Sequence, residues 1–105
     1  VRTTVPGALL IVKINVGPEV EAEFNRWYDG EHMPRLTAVP GVMSGRRYVN
    51  ARGPHRYVAV YELRDRSVLK SQAWIDAANT AWTERMRRHF VEFGWDTLEA
   101  YCPGA

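Results

Sequence analysis

The chain has 105 residues, with 14 Lys and Arg against 12 Asp and Glu, for a formal net charge of +2. That length supports one domain with a single modest core, taken here as residues 1–105, and the near-balance of charge excludes a nucleic-acid-binding stripe. The longest apolar run, Ala8 to Val12, is far too short to cross a membrane, and the lone Cys102 excludes a disulfide framework within the chain or a cysteine-rich metal site.

Residues Ala8 to Val16 are rich in β-branched side chains and apolar on both alternating faces until Lys13, the pattern of a strand covered on both sides. No basic, then apolar, then small-residue pattern precedes them, so a reducing cytoplasm is the expected compartment. Gly17-Pro18 ends the strand. Pro18 suits the first position of a helix, and Glu19, Glu21 and Glu23 suit its positive end. That helix is predicted to run to about Ala38, before the turn signal Val39-Pro40-Gly41. Residues 42–50 and 56–63 read as two strands joined by the hairpin loop Ala51-Arg52-Gly53-Pro54-His55. Ser67 can cap a short helix through about Ala78, and Asn79 or Thr80 can cap another over 81–93. In that last helix Trp82, Met86, His89, Phe90 and Phe93 share one face, and Gly94 stops it. Residues 95–101 form the final strand.

The order β-α-β-β-α-β is the ferredoxin-like pattern, an α+β sandwich with both helical segments on one face of a four-stranded antiparallel sheet. The other face is left bare although the first strand is apolar on both sides. A second copy related by a two-fold axis is the simplest cover, so a homodimer through the open sheet face is expected, against a monomer with a tolerably polar outer face.

One stretch is costly. On a helical wheel at about 100° per residue, Phe24, Trp27, Tyr28 and Glu31 cluster on the inward side with His32 at its edge. Burying a carboxylate beside aromatic rings costs several kcal/mol unless it is paired or protonated. Pro34 adds a fault, because it has no N–H for the Gly30 carbonyl and its ring crowds that oxygen; glycine at position 30 relieves the crowding. Two readings follow. Either Glu31 and His32 form a buried polar cluster, or Pro34 starts a second short helix with the pair in a solvated elbow.

The run Phe24-Asn25-Arg26-Trp27-Tyr28, then Glu31-His32, Pro34-Arg35-Leu36 and Val39-Pro40-Gly41, resembles the EthD-like branch of the dimeric α/β-barrel superfamily. Ala73-Trp74 and the run Thr80 to Phe90 resemble the second helix of the same group. The resemblance implies two ferredoxin-like chains meeting sheet to sheet, each with a shielded, mostly apolar pocket between helices and sheet. It also implies one or two imidazoles moving protons there, and these positions correspond to His32 and His89.

On that footing His32 is the first candidate catalytic residue, since its ordinary pKa lies near neutrality; the alternative is a half-buried histidine bonded to a carbonyl. His89 could face it across the cleft, or serve the core or an interface. Glu31 could orient His32 or act as an acid, but pairing with Arg46 or Arg85 is the plainer reading. Tyr28, Tyr48 and Tyr61 could donate hydroxyls to an enolate or phenolate oxygen, and at most one of Arg46 and Arg47 reaches the cleft. Phe24, Trp27, Trp82, Met86 and Phe90 are candidate substrate walls and equally candidates for plain core. His32, His89 and Glu31 lack the tight spacing of a metal site, and haem would need a large pocket in a small chain, so neither metal nor cofactor is expected. The function expected is a cofactor-independent dehydratase, cyclase, isomerase or decarboxylase acting on a small oxygenated, hydrophobic or aromatic compound. The alternatives are a non-catalytic small-molecule-binding accessory protein and a cofactor-free monooxygenase.

Overall fold

Strand β1, Ala8–Val16, lies inside a four-stranded antiparallel sheet of order β2-β3-β1-β4. The computed structural model describes residues 5–101 and 103, so Cys102 lies outside the described residues. Ala8, Leu10, Val12 and Ile14 of β1 are buried beneath the helices, while Leu9, Ile11 and Lys13 on the opposite face are half-buried. The ferredoxin-like α+β architecture expected from the element order is the one observed.

After β1 a 3-10 turn, Pro18–Val20, leads into α1, Glu21–Trp27, which buries Phe24 and Trp27. The helix then widens into a π turn over Tyr28–His32 and resumes as α2, Met33–Thr37, which buries Leu36. The Met33 N–H reaches back five residues to the Tyr28 carbonyl. This is how the chain accommodates Pro34: instead of breaking into an elbow, it takes up one extra residue in a wider turn, a form that recurs at functional sites. Gly41, at φ +94°, closes the turn that follows, and its carbonyl accepts the Arg64 N–H at 2.7 Å.

Strands β2, Val42–Val49, and β3, Tyr57–Leu63, form the hairpin. Their register slips at Met43: Val42 faces Leu63, but Ser44 faces Glu62. This bulge turns Gly45 and Arg47 toward the helices, and Ser44, Arg46 and Tyr48 toward the open face. Gly45 is required there, because a Cβ would sit 2.6 Å from Met33 Sδ and 2.7 Å from Thr37 Cγ2.

The second helical half departs from expectation in two ways. The stretch 67–78 divides at Ser71 into a 3-10 turn, Arg66–Lys70, and α3, Gln72–Ala78. Asp65 caps the first through the Ser67 N–H, and Ser71 caps the second through the Trp74 N–H. Helix α4, Ala81–Arg87, is capped by Thr80 and ends well before Phe93. Strand β4, Phe90–Glu99, takes over, with Phe93 opposite Ile14 and Trp95 opposite Val12. Gly94 is therefore a mid-strand residue opposite Lys13 and not a helix stop. Among the described residues, no helix is long and apolar enough to cross a membrane.

Candidate functional site

The π turn sets the site. By widening the helix it brings residue i over residue i+5, so the His32 ring stacks on the Trp27 indole at 4.5 Å between centroids and 27° between planes. The Tyr28 ring meets the same imidazole edge-on at 5.0 Å. These residues face a cavity of about 260 Å³ between the helices and the sheet, near the lower end for small-molecule sites. Its floor comes from Val12, Ile14 and Tyr61 of the sheet, and its roof from Leu36, Trp74 and Thr83. Phe90, Phe93 and Trp95 of β4 continue the wall outward, the last two about half exposed, and Arg87 stands with them at the rim.

His32 is held as a neutral base. Burial pushes its pKa down to about 4, and the positive charges of Arg87 and Arg35 push the same way. Its Nδ1 is buried and has no hydrogen-bond partner among the described residues. An unpaired buried nitrogen costs about 1–3 kcal/mol, and the imidazole is held instead by its contacts with the Trp27 and Tyr28 rings.

Below it, the Tyr28 and Tyr61 hydroxyl oxygens lie 2.5 Å apart, and both side chains are almost wholly buried. Burial pushes Tyr28 up to about 12, and burial together with the neighbouring Tyr28 pushes Tyr61 higher still. Both phenols are therefore protonated at neutral pH. One of the two protons fills the shared hydrogen bond, which leaves the other as a donor. The Arg47 guanidinium lies 4.7 Å from the Tyr28 ring centroid and donates to Asp29 and Asn25, fixing the outer side of this pair.

A second polar chain anchors Trp27. Its indole N–H donates to Thr83 Oγ1 at 3.2 Å, the Thr83 and Thr80 hydroxyls are 2.9 Å apart, and Thr80 donates to Glu31 Oε2 at 2.7 Å. A carboxylate only accepts and a hydroxyl has one proton, so Thr80 gives its proton to Glu31 and receives that of Thr83. Every member of the chain is paired.

Several expected site residues lie elsewhere. Glu31 is not in the hollow and pairs with neither Arg46 nor Arg85: it is bonded to Thr80, and Arg85 pairs with Glu23 at 2.7 Å. His89 is exposed beyond the end of α4 and does not face His32, because the chain has already turned toward β4. Arg46 and Tyr48 point to the open sheet face, since the bulge at Met43 reverses the alternation counted from Val42. Phe24 and Met86 are fully buried core outside the cavity lining, and Trp82 packs on the core edge with its N–H on Glu23. His32, Trp27, Tyr28, Tyr61 and Phe90 do converge on the cavity. Sequence reasoning missed Trp74, Thr83, Arg87 and Trp95 as lining residues. Trp74 lies in the stretch that carried the resemblance, and Thr83 stands three residues after the cap Thr80, but neither position was marked as lining a cavity. Among the described residues no group of three or more His, Cys, Asp or Glu side chains could hold a metal ion.

No protein-family model matches the chain, and no curated protein matches it by sequence. Solved structures do. A dimeric ferredoxin-like protein from an uncultured marine organism superposes with a TM-score of 0.70 at 18% identity, over 95% of this chain and 92% of that one. A candidate antibiotic biosynthesis monooxygenase from Nitrosomonas europaea gives a TM-score of 0.66 at 14% identity, over 90% and 99% of the two chains. An EthD family protein from Bacillus halodurans gives 0.60 at 16% identity, over 90% and 98%. The likeness to EthD-type and ferredoxin-like dimeric proteins thus holds at the level of the fold.

Proposed function

We propose that the chain is a cofactor-independent acid–base enzyme acting on a small, largely apolar ring compound that carries an oxygen function. The observation that carries this reading is the neutral His32 imidazole lining an apolar cavity beside the Tyr28–Tyr61 pair. His32 accepts a proton from an activated carbon of the substrate. The electron pair left behind moves onto the substrate oxygen, where the free proton of the tyrosine pair meets it. Return of the proton to another atom gives isomerisation; departure of a hydroxyl from the neighbouring carbon, taking the proton held by His32 to leave as water while the enol proton returns to the tyrosine pair, gives dehydration. Trp27, Trp74 and Phe90 keep water away from the charged intermediate.

A positioned general base contributes about 10²–10⁴-fold. Replacing His32 with alanine should lower turnover by that factor while ligand affinity stays within a few fold, measured on a panel of cyclic β-dicarbonyl and hydroxyaryl ketones. Unchanged turnover, or loss of affinity alone, rejects catalysis in favour of a binding protein.

The neighbour described as a candidate antibiotic biosynthesis monooxygenase favours one second reading. In it the same base generates the anion of an electron-rich phenol, which then reacts with dioxygen. Oxygen uptake that disappears in His32→Ala would bring this reading forward.

We also propose a homodimer through the open sheet face. Leu9, Ile11 and Val60 are half-buried there and Leu98 is exposed, a contiguous apolar stripe that a two-fold partner would cover. Light scattering should return twice the chain mass; the mass of one chain rejects the dimer.

A further inference from the structure

The charges around the cavity are one-sided. Its lining includes the guanidinium of Arg87, the His32 imidazole and two protonated tyrosines, and among the described residues no Asp or Glu. Arg87 is also unusually placed. It donates to Asn79 Oδ1 at 2.8 Å and to the Ala78 carbonyl at 3.2 Å, both at the C-terminal end of α3. Those bonds fix the side chain without cancelling its charge. Arg85, two positions earlier on the same helix, is instead neutralised by Glu23. A guanidinium has five N–H groups, so Arg87 keeps three for another acceptor. Arg35 grips the same end of α3 from the other side, through the Ala77 and Asp76 carbonyls, and adds to the positive potential.

From this arrangement we infer that the cavity takes a planar aromatic monoanion, seated with its ring against Trp27 and Trp74 and its carboxylate on Arg87 at the rim. The inference rests on the reading of the cavity as a substrate site and specifies what enters it. The depth of the polar groups fits such a ligand. Tyr28 and Tyr61, at 2% and 0% exposure, form the inner end, whereas Arg87 and Trp95 are exposed at the outer end, with hydrocarbon between. A single guanidinium matches one carboxylate, and its planar N–H groups suit that geometry better than a point charge would. The anion also resolves a weakness of the empty site. Burial is the main reason His32 resists protonation and the two arginines add to it; a carboxylate on Arg87 offsets the arginine part of that effect.

The test is calorimetric titration of the intact protein with 2-naphthoate and with its neutral counterpart 2-naphthamide. The wild type should bind the carboxylate at least ten-fold more tightly. Arg87→Gln should bring the ratio to within three-fold of unity while the amide binds as before, and Arg87→Lys should retain part of the preference. Raised salt should weaken the carboxylate and not the amide. Equal affinity for the two probes in wild type overturns the carboxylate assignment and leaves the cavity reading standing, as does an equal loss of both in Arg87→Gln with the fold intact by circular dichroism. If Arg87→Gln does not fold, the Arg87→Lys ratio decides, an unchanged preference with unchanged salt dependence counting against the proposal. Failure of both probes to bind wild type overturns the inference and the substrate-site reading together.

Discussion

The His32 imidazole lies against the Trp27 indole, and that indole is tied by its own N–H to Thr83 on the opposite helix. The candidate base therefore takes its position from a residue held by α4, although His32 itself makes no polar contact through its buried Nδ1. Orientation is imposed by shape and relayed through one hydrogen bond.

Thr83→Val removes the acceptor of the Trp27 N–H and strands the indole donor in the core. A buried donor left unpaired costs about 1–3 kcal/mol, so the urea midpoint should fall accordingly. Thr83→Ser keeps the hydroxyl and should recover more than half of the loss. Equal destabilisation by both would mean that the methyl group, and not the hydrogen bond, holds this position.

Stability should depend on pH through His32. Its folded pKa of about 4 lies below the ordinary value of 6.5, so between these values the unfolded chain binds the proton and the native site does not. The contribution is fully present above about pH 6.5, declines as pH falls and is gone below about 4, up to roughly 3 kcal/mol in all. Chemical denaturation at pH 7.5 and 4.5 measures this, and His32→Gln should flatten the difference. An equally steep dependence in the variant would assign the effect to other groups.

Two glycines should respond in opposite directions. A Cβ at Gly30 meets nothing within 4 Å, so an alanine methyl has open space there. Gly30→Ala should stabilise by about 0.5–1 kcal/mol through helix propensity. Gly45→Ala drives its methyl into Met33 and Thr37 and to 3.1 Å from the Tyr61 ring, and should destabilise by about 1–3 kcal/mol. Thermal melting of both variants distinguishes the cases.

The element order and the helix layer could be read from the sequence because the β-branched run Ala8 to Val16 stands out as a strand and Gly17-Pro18 marks a single sharp boundary. The α4–β4 boundary could not. Phe90 and Phe93 fit a helical face with Met86, yet Phe93 and Trp95 also fit a strand, and only pairing with β1 decides between the periods. Arg47 was hidden behind Arg46 by the bulge at Met43, since one extra residue reverses inside and outside. The Pro34 fault was legible, its resolution was not: the helix must still bury both Trp27 and Leu36, and widening by one residue satisfies both. Arg87 carried no sequence signal at all, because its role comes from where α3 ends in space.

The central claim is that His32 stands neutral in a sheltered cavity, able to accept a proton. It is tested most directly by following the His32 ring signals by NMR between pH 3.5 and 8, with His32→Gln to assign them. The account predicts an imidazole that stays neutral through pH 6 and titrates near 4, and whose midpoint rises when 2-naphthoate is bound. A midpoint near 6.5, unmoved by ligand, would place the ring in water and contradict the claim.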